Sequence, residues 1–247
     1  MNNQSYAQNY PQLFNQAIAL KYSDEELRLL KKAFDFAQQF SHGVYRAQGI
    51  PLINHLVRTA SIVMHNKQAI SLVIVSLLHA VYVIHKFDHS VRTAEITSRS
   101  EELVALFGHD INQLIIAYEE LHWYKQEEIK AYLAQAERLP QQTKDLILIR
   151  LANELEDHLD LAMSYSSDER IQRRSFAYGY ECVELAKHIG FIDIGEQIKS
   201  ILDQQKEFFP AEFLRVTARQ GYEISQVKWP KTLLEKIKSF IKSLLKK

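Results

Sequence analysis

From Gln68 to Ile84 the chain runs without a single Asp, Glu, Lys or Arg. No other stretch restricts the fold as much. A run this apolar must be covered by protein or by lipid. It is shorter than the about 20 residues a membrane span requires, and it carries Ser71, Ser76 and His79. The run therefore reads as a central buried helix that the rest of the chain encloses. With only 7 Gly and 5 Pro in 247 residues, little of the chain is available for turns. That disfavours β-sandwiches, barrels and Gly-rich nucleotide loops and favours long helices. The fold class expected is all-α.

Helix signals follow one another along the chain. Ser23 with Glu26 forms a capping box, and Leu27, Leu30, Phe34, Ala37 and Phe40 follow it at helical spacing. Pro51 suits the first turn of a second helix bearing Ile53, Leu56, Val57, Ala60 and Met64. Gln68–Ile84 is the third. Lys86–Ser100 reads as loop, and Gly108 closes a helix over Glu101–Phe107. Further helices are expected over Ile111–His122, Glu127–Arg138, Thr143–Met163, Glu169–His188 and Ile194–Phe208. No strand is expected. Residues 1–22 read as an N-terminal extension whose first dozen residues are frayed, 23–209 as one helical domain, and 210–247 as a helical tail, basic and amphipathic from about 228.

Charge sharpens the picture at the tail. Lys+Arg and Asp+Glu both number 30, which gives no support for nucleic-acid binding by the whole chain. The balance is uneven, however: Lys228–Lys247 holds seven lysines and one acid, Glu235. Leu233, Leu234, Ile237, Phe240, Ile241, Leu244 and Leu245 share one face of a helix there. Trp229–Lys247 thus reads as a basic amphipathic helix for a membrane surface, a protein partner, or its own domain. The polar start Met1–Gln12 lacks a basic, then apolar, leader, so the chain is expected in the cytoplasm, with peripheral membrane contact as one of the tail's alternatives. One cysteine, Cys182, excludes an internal disulfide and a Cys-rich zinc site; its apolar helical setting makes it a small hydrophobe.

Ten histidines carry the chemistry. His42 ends the first helix, His55 lies in the second and His79 in the charge-free run. Imidazoles on neighbouring helices are a means by which an all-α domain builds a metal site. The motifs around them go further. His42, Arg46, Gly49, Pro51, Ile53, Asn54 and His55 resemble the "H-x-x-x-R … G-x-P-Y-I-x-H-P" opening of RelA/SpoT-type HD domains, the hydrolases of the alarmone (p)ppGpp. Ser76–Val81 is similar to their "A-L-L-H-D-V" helix, Leu106–Ile111 to their "F-G-x-x-V" junction, and Ile149–Leu155 to their "x-K-L-A-D-R-L" helix. The elements occur in the family's order over residues 24 to 165.

The resemblance implies an HD-domain-like helical bundle and a metal, usually manganese, on His42 and His79, with His55 as an additional histidine. It also implies a nucleotide-contacting Arg46 and Asn153 in the ligand site. Tyr45 and Tyr82 suit stacking on a base or packing in the core, with Tyr45 the ligand candidate. The departures imply lost activity. Ala80 stands where the family has its HD aspartate, Asn153 where it has the later ligand aspartate, and Val83-Ile84 where it has the Glu-Asp pair that positions water. A hard cation loses two negative oxygen ligands, and water loses its base. His109-Asp110, the one literal His-Asp pair of the motif type, falls on a variable position and reads as a helix start.

Two readings stay open. In one, the domain is a pseudo-hydrolase without cofactor that binds a small anionic or nucleotide-like ligand, or a protein. In the other, it is a divergent enzyme holding Fe, Zn or Mn on His42, His55 and His79, with His85 or His89 contributing. There Glu154, Glu156 or Asp157 supplies a new base, Glu154 and Asp157 being the catalytic candidates. Loss of both carboxylate ligands favours the first.

Overall fold

The computed structural model describes residues 5–46, 49–83, 93–123, 125–159, 169–206 and 224–226. The side chains of 93–97, 169–177, 206 and 224–226 lie outside that description. The chain is all-α as expected. Its elements are α1 Tyr10–Ala19, α2 Asp24–Ser41, β1 Val44–Arg46, α3 Leu52–His65, α4 Ile70–Leu78, α5 Thr93–Phe107 and α6 His109–Glu120. There follow α7 Gln126–Ala134, a 3-10 turn Ala136–Arg138, α8 Gln141–His158, α9 Glu169–His188, α10 Ile192–Lys206 and β2 Ile224–Gln226.

Local chemistry sets several boundaries where the sequence places them. Ser23 Oγ accepts from the Glu26 backbone N–H while Glu26 Oε2 accepts from the Ser23 N–H, which opens α2. Gly108, at φ +84°, separates α5 from α6. His109 and Asp110 are an exposed helix start, with Asp110 in the first turn. Cys182 is fully buried.

Four expectations are corrected. The N-terminal segment is not frayed: Asn9 caps α1 by accepting from the Gln12 N–H, Pro11 sits in the first turn, and Leu13 and Ala17 are buried. Tyr6 and Ala7 are buried ahead of it, and the Ala7 N–H donates to Ser61 Oγ at 2.9 Å. Second, α4 stops at Leu78 instead of running to Ile84, because His79 Nδ1 takes the Ser76 carbonyl at 2.7 Å and Val81 turns back onto Leu78. Third, α5 begins at Thr93, inside the stretch expected to be loop. Exposed Ser98 and half-buried Arg99 and Ser100 lie on this helix, and their polarity reads as loop. Fourth, two strands form. β1 and β2 pair antiparallel, with Val44 opposite Gln226 and Arg46 opposite Ile224. The helix expected over Thr143–Met163 is α8, Gln141–His158, which closes short of Met163.

The core gathers around α3, α4 and α8. α3 packs on α4 and α8, α2 covers α4, α6 closes against α4, and α9 with α10 brace α7 and α8. Every residue of α8 from Leu146 to His158 is buried. That helix is enclosed all round, although its last two turns carry Glu154, Glu156 and Asp157. Buried charge needs buried partners, and these build the site below. Among the described residues, no helix is long and apolar enough to cross a membrane. The tail Trp229–Lys247, and with it the question of membrane or partner, lies outside the described residues, as do His85 and His89.

Leu13→Ala tests whether α1 belongs to the core. A fully buried leucine truncated in a packed interior costs about 3 kcal/mol, read as a lower urea midpoint at unchanged slope. A loss under about 1 kcal/mol would mark α1 as a loose appendage.

Candidate functional site

Three elements converge on one buried polar cluster. β1 supplies Arg46, α3 supplies His55 and Arg58, and α8 supplies Arg150, Asn153, Glu156 and Asp157. The end of α4 adds His79 and α6 adds Tyr118. Helical spacing explains the convergence. His55 and Arg58 share a face of α3, as do Arg150, Asn153 and Asp157 on α8. β1 alternates, so Val44 and Arg46 point inward and Tyr45, half-buried, turns to the other face.

Arg46 is the hub. Its Nη1 lies 2.7 Å from His55 Nδ1 and 3.0 Å from Glu156 Oε2, and it contacts Asp157 Oδ1. Glu156 Oε2 also lies against His55 Nδ1. Arg58 Nη1 stands 3.9 Å from the second Glu156 oxygen, and its Nη2 donates to Gln8 Oε1. Arg150 sits over the Tyr118 ring at 3.9 Å and donates to the Tyr118 carbonyl at 2.9 Å.

The two imidazoles meet edge to face, with their Nε2 atoms 3.4 Å apart. A carbonyl only accepts, so His79 Nδ1 must carry its proton toward Ser76, which leaves His79 Nε2 as a lone pair. A guanidinium only donates, so a neutral His55 accepts from Arg46 at Nδ1 and carries its proton at Nε2. The result is a one-way relay from Arg46 through His55 and His79 to the Ser76 carbonyl. Both rings stay neutral. Burial pushes His55 well below the ordinary histidine value, and the Arg46 and Arg58 charges push the same way. Burial does the same to His79, aided by His55. The ion-pair geometry between His55 and Glu156 does not charge the ring, because Arg46 already answers that carboxylate.

Asn153 closes the far side. Its Nδ2 donates to the Tyr118 hydroxyl at 3.0 Å and lies 3.4 Å from His79 Nε2, while its Oδ1 is buried without a hydrogen-bond partner. Glu154 faces away from this cluster. Its Oε2 lies 3.5 Å from the Tyr178 hydroxyl and its Oε1 3.8 Å from His158 Nε2.

The candidates from the sequence thus divide. His55, His79, Asn153, Arg46 and Asp157 come together. His42 does not: α2 ends there, Gly43 turns the chain at φ +72°, and the ring is exposed at the helix cap. Tyr45 lies on the opposite face of β1, and Glu154 on another face of α8. The three-histidine centre is therefore not assembled. Among the described residues, the one His/Cys/Asp/Glu group whose ligand atoms all lie within 4.8 Å is His55, Glu156 and Asp157. The manganese centre implied by the resemblance does not fit the residues present. His79 has imidazole and amide neighbours, and Ala80, buried beside it, offers no oxygen. Arg58, Arg150 and Tyr118 were missed in sequence. Their signal was spacing, Arg58 being three residues after His55 and Arg150 three before Asn153.

Compared with known proteins, the sequence matches no family model and no curated protein.

Neutral buried histidines give stability a sign with pH. The unfolded chain protonates His55 and His79 near their ordinary value of 6.5, while the folded chain does so only well below it. Between these values the unfolded state holds more protons, so stability is full above about pH 6.5 and falls as pH drops below it. Urea midpoints at pH 7.5 and 5.5 should decrease by about 1.4 kcal/mol per pH unit for each proton taken up on unfolding. Equal stability at the two pH values would show that the rings titrate in the fold as they do in the unfolded chain, and greater stability at pH 5.5 would show that they are charged in the fold.

Proposed function

We propose that the chain is a non-hydrolytic member of the HD-type bundles it resembles, and that it binds a small anionic or nucleotide-like ligand. The observation that carries this reading is the internal neutralisation of the polar cluster. Arg46 and Arg58 are buried against Glu156, and Arg46 also against Asp157. A hydrolytic centre keeps acid or base and metal facing substrate water. Here Arg46 occupies Glu156 and Asp157.

The ligand is assigned to the cleft on the other side of Arg58. It measures about 720 Å³ and its lining includes Gln8, Gln12, Asn15, Gln16, Arg58 and His65. That volume lies within the usual range for small-molecule sites. Amides and a guanidinium recognise oxygen-rich, negatively charged groups by directed hydrogen bonds. Arg58 joins the two regions, reaching Glu156 on its inner side and Gln8 at the cleft.

The test offers (p)ppGpp to the purified chain with manganese and follows both product release and calorimetric heat. We expect binding with the nucleotide recovered intact, and affinity reduced on the order of tenfold by Arg58→Gln. Manganese-dependent hydrolysis abolished by His79→Ala would overturn the non-hydrolytic reading. Absence of binding across guanine and adenine polyphosphates would overturn the ligand reading.

A further inference from the structure

We propose that His55, Glu156 and Asp157 form a divalent-cation site in their own right, which Arg46 keeps filled with its guanidinium. This goes beyond the ligand reading above and does not depend on it. It also uses the opposite edge of His55 from the one that faces His79.

Three observations support it. First, His55 Nδ1, Glu156 Oε2 and Asp157 Oδ1 converge on one point, and a single nitrogen, Arg46 Nη1, sits against all three. That nitrogen has two hydrogens. Three acceptors around it cannot each receive a straight hydrogen bond. A metal ion has no such limit and binds three donors at once.

Second, the proton relay prepares the imidazole as a ligand. With His55 Nε2–H directed at the His79 lone pair, His55 Nδ1 presents its own lone pair to the two carboxylates. A metal-binding histidine typically has its other N–H held by a neighbouring acceptor in this way.

Third, the donor atoms are rigidly placed and dry. His55 comes from α3 and both carboxylates from consecutive positions of the fully buried end of α8. Arg46 arrives on the three-residue strand β1, apart from the helices that hold the donors. One imidazole nitrogen with two carboxylate oxygens suits zinc and neighbouring divalent metals. Arg46 is thus an internal competitor for the ion.

Zinc chloride is the probe, titrated into the full chain by calorimetry with a parallel thermal melt. Arg46→Ala removes the competitor, and Arg46→Met does so while keeping volume, in case the alanine variant fails to fold. We expect one equivalent of zinc bound at least ~10-fold more tightly by these variants than by the native chain, because a fixed positive charge is removed from between two carboxylates. Zinc should also raise the melting temperature of the variants. Adding Glu156→Gln to either should abolish both effects. A folded Arg46 variant that binds no more tightly than the native chain overturns the proposal. So does tight binding that survives Glu156→Gln, since zinc would then sit on histidines elsewhere.

Discussion

One guanidinium nitrogen ties this structure together. Arg46 Nη1 links β1 to α3 through His55 and to α8 through Glu156 and Asp157. The two carboxylates stand on consecutive residues of a helix that is buried along its inner length. An ion buried without a partner costs several kcal/mol even after relaxation. The enclosed end of α8 is compatible with its sequence because cations are delivered to it, Arg46 to both carboxylates and Arg58 to Glu156. β1 delivers Arg46, whose own backbone N–H donates to the Ile50 carbonyl and whose carbonyl accepts from the Gly49 N–H.

That contact also decides the protonation of the cluster. A donor at His55 Nδ1 sends the His55 proton to Nε2, toward His79 Nε2, and His79 in turn gives its Nδ1 proton to Ser76. Every step has one direction. The same carbonyl contact ends α4 at Leu78, so helix length and site polarity share a cause. The chemistry that follows is that of a neutralised interior. Its acids face arginines, its imidazoles are uncharged, and the position next to His79 is a methyl group, Ala80. In the hydrolases that the motifs resemble, the corresponding positions carry acids. Neither Ala80 nor Asn153 carries the charge that a hard cation demands.

Legibility in the sequence followed the range of the interaction. The Ser23–Glu26 capping box, the stop at Gly108 and the helix start at His109 are read within a turn, and the structure has all three. The all-α class follows from scarce glycine and proline and from the apolar run. Pairing of β1 with β2 joins Arg46 to Ile224, and no local pattern announces contact across such a separation. The early end of α4 was hidden because it depends on a side chain, His79, returning to its own backbone. Within the site, His55, His79 and Asn153 were found by motif, whereas His42 has the same chemistry but lies at an exposed cap. Arg58 and Arg150 were passed over because a cation on a helix ordinarily faces water. Their burial becomes legible only when the three acids near the end of α8 are known to be inside.

The account rests on the direction of hydrogen bonding around His55, and nitrogen-15 NMR of the histidine rings reads it directly. At pH 7, His55 should appear as a neutral ring protonated at Nε2, and His79 as a neutral ring protonated at Nδ1. These tautomers follow from Arg46 donating to one ring and Ser76 accepting from the other. A doubly protonated His55 would contradict the account, since Glu156 would then be paired with an imidazolium and Arg46 would not govern the cluster.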